Sequence, residues 1–124
     1  MKNILIIEDE LTLLQVLAKK FKHEGFRVFQ SVDGLSGYKS AIKNHPDLIL
    51  LDVIMPVMDG MTMLEKLRRD KWGKNAKVII LTNLSDAGKL SKSTLEGVRD
   101  YLIKSDWKLD DIVKKVNEEL DISN

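Results

Sequence analysis

The sequence contains no cysteine, which excludes a disulfide framework and thiolate chemistry and agrees with a reducing cytosol. It also lacks an excess of charge of one sign: the formal net charge of +1 gives no field that would favour nucleic acid or a membrane surface as the main partner. No apolar run approaches the roughly 20 residues needed to cross a bilayer. Glu8, Asp9 and Glu10 interrupt the N-terminal apolar run, so no signal peptide is expected. We therefore expect a cytoplasmic protein.

Short apolar runs rich in Ile, Val and Leu alternate with longer segments of helical spacing. Runs 4–7, 48–51 and 78–81 are apolar at nearly every position, which is typical of parallel strands buried on both faces. The alternation predicts five strand–helix units, with a second strand at 26–31 and a fifth at 101–103. A length of 124 residues suits one compact domain, which we place over residues 1–124.

The helix pattern is regular, with one weak segment. The first helix is predicted at 10–24, with Leu11, Leu14, Ala18 and Phe21 on its inner face. Further helices are predicted between Asp33 and Pro46, after a turn at 59–60, at 85–95 and at 107–120. The segment 85–95 is the weakest of these, because it is rich in Gly, Ser and Thr.

Four of the apolar runs end in chemically usable residues: Glu8 with Asp9, then Asp52, Thr82 and Lys104. The carboxyl ends of parallel strands share one edge of a sheet, where ligands bind in this architecture. Three carboxylates so close together must either take up a proton or bind a cation, and oxygen-only ligands favour Mg²⁺. Asp52 is the best candidate nucleophile for a phosphoryl group, which Thr82 and Lys104 would stabilise.

The ordered set Glu8-Asp9, the segment LLDVIMPVMDG at 50–60, Leu81-Thr82 and the segment DYLIK at 100–104 resembles the receiver domains of bacterial two-component response regulators. The resemblance covers the whole chain. It implies a flavodoxin-like, doubly wound (βα)5 three-layer sandwich with a parallel five-stranded sheet in the order 2-1-3-4-5. It also implies that no effector domain lies in this chain.

The resemblance assigns roles to individual residues. Asp52 matches the phosphoacceptor, and Asp9, Asp52 and the backbone carbonyl of Ile54 match the Mg²⁺ ligands, with Glu8 holding the ion through water. Thr82 and Lys104 match the groups that sense the phosphoryl group. Tyr101 matches an aromatic switch whose rotamer follows the threonine.

The resemblance also implies partners and an output. A histidine kinase or a histidine phosphotransfer protein would donate the phosphoryl group, and a downstream protein would read the change on the fourth helix, fifth strand and fifth helix. No direct binding to nucleic acid or membrane is expected. The domain would be no enzyme beyond its own phosphorylation and dephosphorylation, and either a monomer or a phosphorylation-dependent dimer. Charges of both signs at the last two helices would suit a dimer: Lys89, Lys92, Arg99, Asp100 and Asp106.

The sequence departs from the family pattern near the site. Ser105 stands where the family usually has proline, so the peptide after Lys104 is either trans with a rearranged loop or cis at a cost of ~3 kcal/mol. Asn83 replaces a small residue. Ile54 and Leu84 flank the path of a hydrolytic water in the family, and their apolar side chains predict a long-lived phosphoryl group.

Three other functions share parts of this pattern. A flavodoxin-like cofactor binder needs a phosphate-cradling loop after the first strand, where the acidic residues 8–10 would repel phosphate. A phosphatase of the haloacid-dehalogenase type needs a second acid at position 54, where Ile54 stands. The serious alternative is a receiver-like interaction module that works without phosphate, which Ser105 and Asn83 make plausible.

Overall fold

The computed structural model describes residues 1–53, 55, 57–83, 98 and 100–122 of the chain. Within these ranges one parallel sheet contains five strands: β1 Asn3–Ile7, β2 Arg27–Ser31, β3 Leu48–Asp52, β4 Val78–Thr82 and β5 Asp100–Ile103. Their order across the sheet is β2-β1-β3-β4-β5. The predicted order and the predicted flavodoxin-like architecture are confirmed.

Helices cover both faces of the sheet. The described elements are α1 Leu11–His23, α2 Gly34–Asn44, α3 Gly60–Arg69 and a C-terminal helix Leu109–Glu119, with 3-10 turns at Gly73–Asn75 and Lys104–Asp106. The helix predicted at 85–95 lies outside the described residues. None of the helices in the described ranges could span a bilayer.

Alternate residues of each strand pack against opposite helix layers. In β1, Ile4 and Ile6 join the cluster built with α1 and the C-terminal helix. Leu5 and Ile7 join the second cluster, which α2 and α3 complete. Because side chains alternate along a strand, burial on both faces favours an apolar residue at every position, as the sequence has at 4–7 of β1 and at 48–51 of β3.

Capping residues set where the helices begin and end. The Asp33 side chain accepts a hydrogen bond from the Ser36 amide at 2.8 Å, which satisfies one of the free amides at the start of α2. Asp59 does the same for α3. Helix α2 ends at Asn44, ahead of Pro46 as predicted.

One predicted core position is wrong. Leu11 is 59% exposed, although the helical spacing placed it on the inner face of α1. It is the first residue of the helix, beside the polar residues that leave β1, and the buried face begins one turn later. The buried residues of α1 are Leu14, Leu17, Ala18 and Phe21.

Candidate functional site

The strand order places the predicted residues around the centre of one sheet edge. Asp52 is the last residue of β3, the central strand, and Glu8 and Asp9 follow directly after the neighbouring β1. Thr82 ends β4 on the other side of β3, and Lys104 follows β5. The parallel register Ile7 with Leu51 and Asp52 with Leu81 keeps these ends level with one another.

The three carboxylates lie together, as the sequence predicted. One oxygen from each of Glu8, Asp9 and Asp52 can be chosen so that all three lie within 4.8 Å of one another. The side chains differ in solvent access: Glu8 is 1% exposed and Asp52 5% exposed, whereas Asp9 faces solvent. Two buried carboxylates beside an exposed one form an oxygen-only donor set open on one side, which fits a hard cation that keeps part of its water shell.

The Lys104 ammonium lies closer to Glu8 than to Asp52. Its Nζ is 2.7 Å from Glu8 Oε1 and 3.5 Å from Asp52 Oδ2. The other Glu8 oxygen, Oε2, accepts a hydrogen bond from the Glu10 amide at 3.1 Å. Glu8 is therefore held from both sides, and it fixes the position of the lysine that the sequence assigned to the phosphoryl group. Sequence reasoning missed this pair, since nothing local relates residues on strands that are not neighbours.

The electrostatics of the site favour a neutral Asp52 in the metal-free protein. Burial, which penalises the charged form, and the nearby charge of Glu8 raise the pKa of Asp52 from 3.8 to about 8, against the opposing effect of Lys104. Burial works to lower the pKa of Lys104, but its hydrogen bond to Glu8 and the charge of Asp52 outweigh burial and raise that pKa. Lys104 therefore keeps its charge at neutral pH, and a divalent cation bound beside Asp52 would supply the further positive charge that favours the ionised carboxylate.

Thr82 and Tyr101 differ in their exposure to solvent. Thr82 is fully buried, and its hydroxyl donates a long hydrogen bond of 3.4 Å to the carbonyl oxygen of Asn83. Tyr101 pairs with Ile80 in the sheet, and its side chain is 46% exposed. The buried hydroxyl is at the strand end that the prediction gave it, whereas the phenol lies at the surface.

The departures from the family pattern are only partly visible. No peptide bond is cis within the described residues, which include both sides of the Lys104–Ser105 bond, so that bond is trans. Asn83 and Asp106 are exposed. Several predicted residues lie outside the described ones, namely Ile54, Leu84, Lys89, Lys92 and Arg99. The side chains of Asp100 and Ser105 are not described either.

Gly60 is a positioning residue that the sequence read only as part of a turn. Its amide donates to the Val53 carbonyl at 2.7 Å, and a Cβ at this position would lie 2.2 Å from the carbonyl oxygen of Asp52. The start of α3 therefore packs directly against the backbone of the candidate phosphoacceptor. The Asp-Gly pair at 59–60 was the available signal, because it places a helix cap next to a residue without a side chain.

Comparison with known proteins gives consistent matches. A model of the response regulator receiver domain matches residues 4–117. The DNA-binding dual master transcriptional regulator RpaA of Synechocystis is 36% identical over 104 residues, which are 84% of this chain and 43% of RpaA. The chemotaxis protein CheY of Treponema pallidum is 33% identical over 106 residues, 82% of this chain and 72% of CheY. The chain thus spans less than half of the length of RpaA.

A solved structure agrees in fold over nearly the whole chain. The response regulator TrrA of Thermotoga maritima, crystallised in complex with Mg²⁺ and BeF, superimposes with a TM-score of 0.81 at 28% sequence identity. The match covers 95% of this chain and 98% of TrrA. The family match over residues 4–117 and the two relatives above 30% identity lead to one conclusion: this chain belongs to the response regulator receiver domain family.

Proposed function

We propose that this chain is a single receiver domain that acts as a phosphoacceptor switch of a two-component phosphorelay, with Asp52 receiving the phosphoryl group. The observation that carries the proposal is the buried Asp52 carboxylate at the end of the central strand, within 4.8 Å of two further carboxylates and 3.5 Å from the Lys104 ammonium. The donor is a histidine kinase or a histidine phosphotransfer protein, and a downstream protein reads the change. Family membership supports a cytoplasmic location for these exchanges.

The transfer needs an ionised carboxylate. An Asp52 oxygen attacks the phosphorus of the donor's phosphohistidine, the phosphorus–nitrogen bond breaks, and the imidazole keeps its electron pair and takes up a proton. In the metal-free protein the raised pKa of about 8 leaves most Asp52 protonated at neutral pH. Positive charge beside Asp52 therefore has two tasks: it holds the nucleophile ionised, and it stabilises the charge on the phosphoryl oxygens.

Mg²⁺ is the cofactor that the donor set fits. Asp9, Asp52 and the backbone carbonyl of Ile54 would bind the ion directly, and Glu8 would hold it through water. When bound, the ion supplies the positive charge that ionises Asp52 and screens the phosphoryl oxygens. Glu8 is already engaged by Lys104 at 2.7 Å, which agrees with an indirect role for Glu8.

The switch would run through Thr82, Lys104 and Tyr101. A phosphoryl group on Asp52 adds negative charge next to the Lys104 ammonium and the buried Thr82 hydroxyl, which favours the state in which both turn toward it. Tyr101 would follow the threonine and carry the change to the surface formed by the fourth predicted helix, β5 and the C-terminal helix. We expect Lys104→Ala to accept phosphate but to lose the downstream response, as measured by binding to the downstream partner; normal signalling by this variant would refute the role of Lys104.

The test is intact-protein mass spectrometry after incubation with acetyl phosphate, with and without Mg²⁺. Wild type should gain a single Mg²⁺-dependent phosphoryl adduct, and Asp52→Asn should gain none. Asp110→Asn is a suitable control, because Asp110 is an exposed acid paired with Lys20 on the outside of the molecule. If wild type stays unlabelled under conditions that label a known receiver, the domain is a phosphate-independent interaction module, and Ser105 and Asn83 become the first positions to revert.

A further inference from the structure

The backbone at Val57 has a conformation that its side chain disfavours. Its φ is +68°, in the left-handed region. The other described non-glycine residues with positive φ are His45 and Asp121, both of types that tolerate this region. A β-branched residue there is a genuine outlier, because its branched side chain crowds the adjoining backbone.

The surrounding loop holds this conformation in place. The Met58 carbonyl accepts a hydrogen bond from the Gly34 amide at 2.9 Å, and the Gly60 amide donates to Val53 at 2.7 Å. Met55 and Met58 pack into the core on either side of Val57. The loop between β3 and α3 is therefore anchored before and after Val57, and such anchoring is what allows a strained residue to persist.

The Val57 side chain contributes little packing to the folded domain. It is 78% exposed, so it contributes almost no buried apolar surface. His45, by comparison, stacks its ring on Trp72 with centroids 4.4 Å apart. Glycine or asparagine would adopt the same backbone at lower conformational cost. An exposed apolar side chain held in a strained backbone points to a contact outside the domain.

The position of Val57 indicates what makes that contact. It lies in the loop that follows Asp52 at the end of the central strand, and Asp52 itself is only 5% exposed. A protein that places a phosphohistidine against so buried a carboxylate must come close to the loops at this edge. A small phosphoryl donor has no such requirement.

We infer that Val57 is a docking and specificity residue for the phosphoryl-donating protein, against an apolar surface beside its phosphohistidine. This inference rests on the proposed function. It predicts that Val57 affects transfer from a protein donor but has little effect on labelling by a small donor.

The experiment compares Val57→Gly and Val57→Asn with wild type in three measurements. The protein donor is the autophosphorylated histidine kinase that labels wild type fastest in a purified panel, and the small donor is acetyl phosphate with Mg²⁺. We expect transfer from the kinase to fall about tenfold in both variants, a typical loss for a docking side chain, and acetyl phosphate labelling to stay within about twofold. The melting temperature should rise by about 3 °C as the strain is relieved.

Val32→Ala is the matched control. Val32 is also an exposed valine after a strand, but β2 lies two strands from β3, about 10 Å along the edge. Kinase transfer to both Val57 variants at the wild-type rate, or an equal loss in Val32→Ala, would overturn the inference. If both Val57 variants were less stable than wild type, the backbone at Val57 would not be strained, and the inference would fail. Failure of wild type to accept phosphate from acetyl phosphate is a different result, and it would count against the proposed function.

Discussion

The burial of Asp52 opposes the ionised state that the proposed phosphoryl transfer requires of this single residue. Burial at the end of β3 protects it from solvent, and the same burial, together with Glu8, raises its pKa to about 8. The proposed role of Asp52 as a nucleophile requires the ionised form, which the raised pKa disfavours at neutral pH. This arrangement makes reactivity at neutral pH depend on added positive charge.

The raised pKa of Asp52 predicts how stability changes with pH. Between about pH 4 and pH 8 the folded state keeps the Asp52 proton and the unfolded state has lost it, so the free energy of unfolding falls as pH rises through this window. At about 1.4 kcal/mol per pKa unit, the full effect is at most about 6 kcal/mol. Asp52→Asn should abolish this fall. Urea unfolding from pH 4 to 9, in the absence of divalent cations, measures the free energy of unfolding of wild type and of Asp52→Asn.

A parallel pH dependence in wild type and Asp52→Asn would contradict the assignment. Asp110→Asn is the comparison, because the pKa of Asp110 is lowered whereas that of Asp52 is raised. Asp110 is exposed, and the hydrogen bond from Lys20 holds the pKa of its carboxyl below the usual value. In Asp110→Asn the free energy of unfolding should therefore still fall between pH 4 and pH 8, as it does in wild type.

At the scale of elements, the approach of α3 to β3 fixes the backbone of the site. The side chain of Asp59 caps the helix, and Gly60 lets its first turn lie against the end of the strand. The contact at Gly60 is to backbone, which has no rotamer to change. An equivalent close approach occurs at Gly37 of α2, where a Cβ would instead meet the side chain of Ile7 at 2.5 Å.

These two glycines give a matched pair of substitutions. Gly60→Ala should lower the free energy of unfolding by about 1–3 kcal/mol, because the new methyl group displaces backbone. It should also slow labelling of Asp52 by acetyl phosphate. Gly37→Ala should cost less than Gly60→Ala, because its methyl group meets a side chain rather than backbone and alanine favours the helix interior, and it should leave the labelling rate unchanged. Urea unfolding and the labelling rate test the pair, and equal effects on both measurements would show that the backbone contact has no special role.

At the scale of the whole molecule, cation binding should couple protonation, stability and strand packing. The three carboxylates lie at the ends of two strands, and a bound ion stabilises only the folded chain, where these ends meet. At 100 times its dissociation constant an ion adds about 2.7 kcal/mol to the free energy of unfolding. Because Asp52 is mostly protonated at pH 7, Mg²⁺ binding there should release close to one proton.

Isothermal titration calorimetry at pH 7, in two buffers of different ionisation enthalpy, measures the number of protons released when Mg²⁺ binds. The release should fade by pH 9, where Asp52 is already ionised, and the affinity should rise between the two pH values. Asp9→Asn should weaken binding, since it removes one of the proposed direct ligands. Proton release that is absent at pH 7, or unchanged at pH 9, would contradict the link between Asp52 and the ion.

Local sequence patterns were sufficient to predict the sheet and the composition of the site. Short continuous apolar runs that alternate with helical segments favour strands buried on both faces, and the polar residue that ends each run then lies at the shared edge. The positions of Glu8, Asp9, Asp52, Thr82 and Lys104 at that edge followed from local patterns and from the resemblance to receiver domains.

The contacts between elements depend on three-dimensional packing and could not be predicted from local patterns. The pairing of Lys104 with Glu8 joins residues that follow non-neighbouring strands, and the exposure of Leu11 depends on where α1 begins relative to its packing partners. The positive φ of Val57 lies in a loop that is anchored by the hydrogen bonds of Met58 to Gly34 and of Gly60 to Val53. Periodicity reports which way a side chain faces within its own element, whereas these features depend on how elements meet, for which a local pattern holds no information.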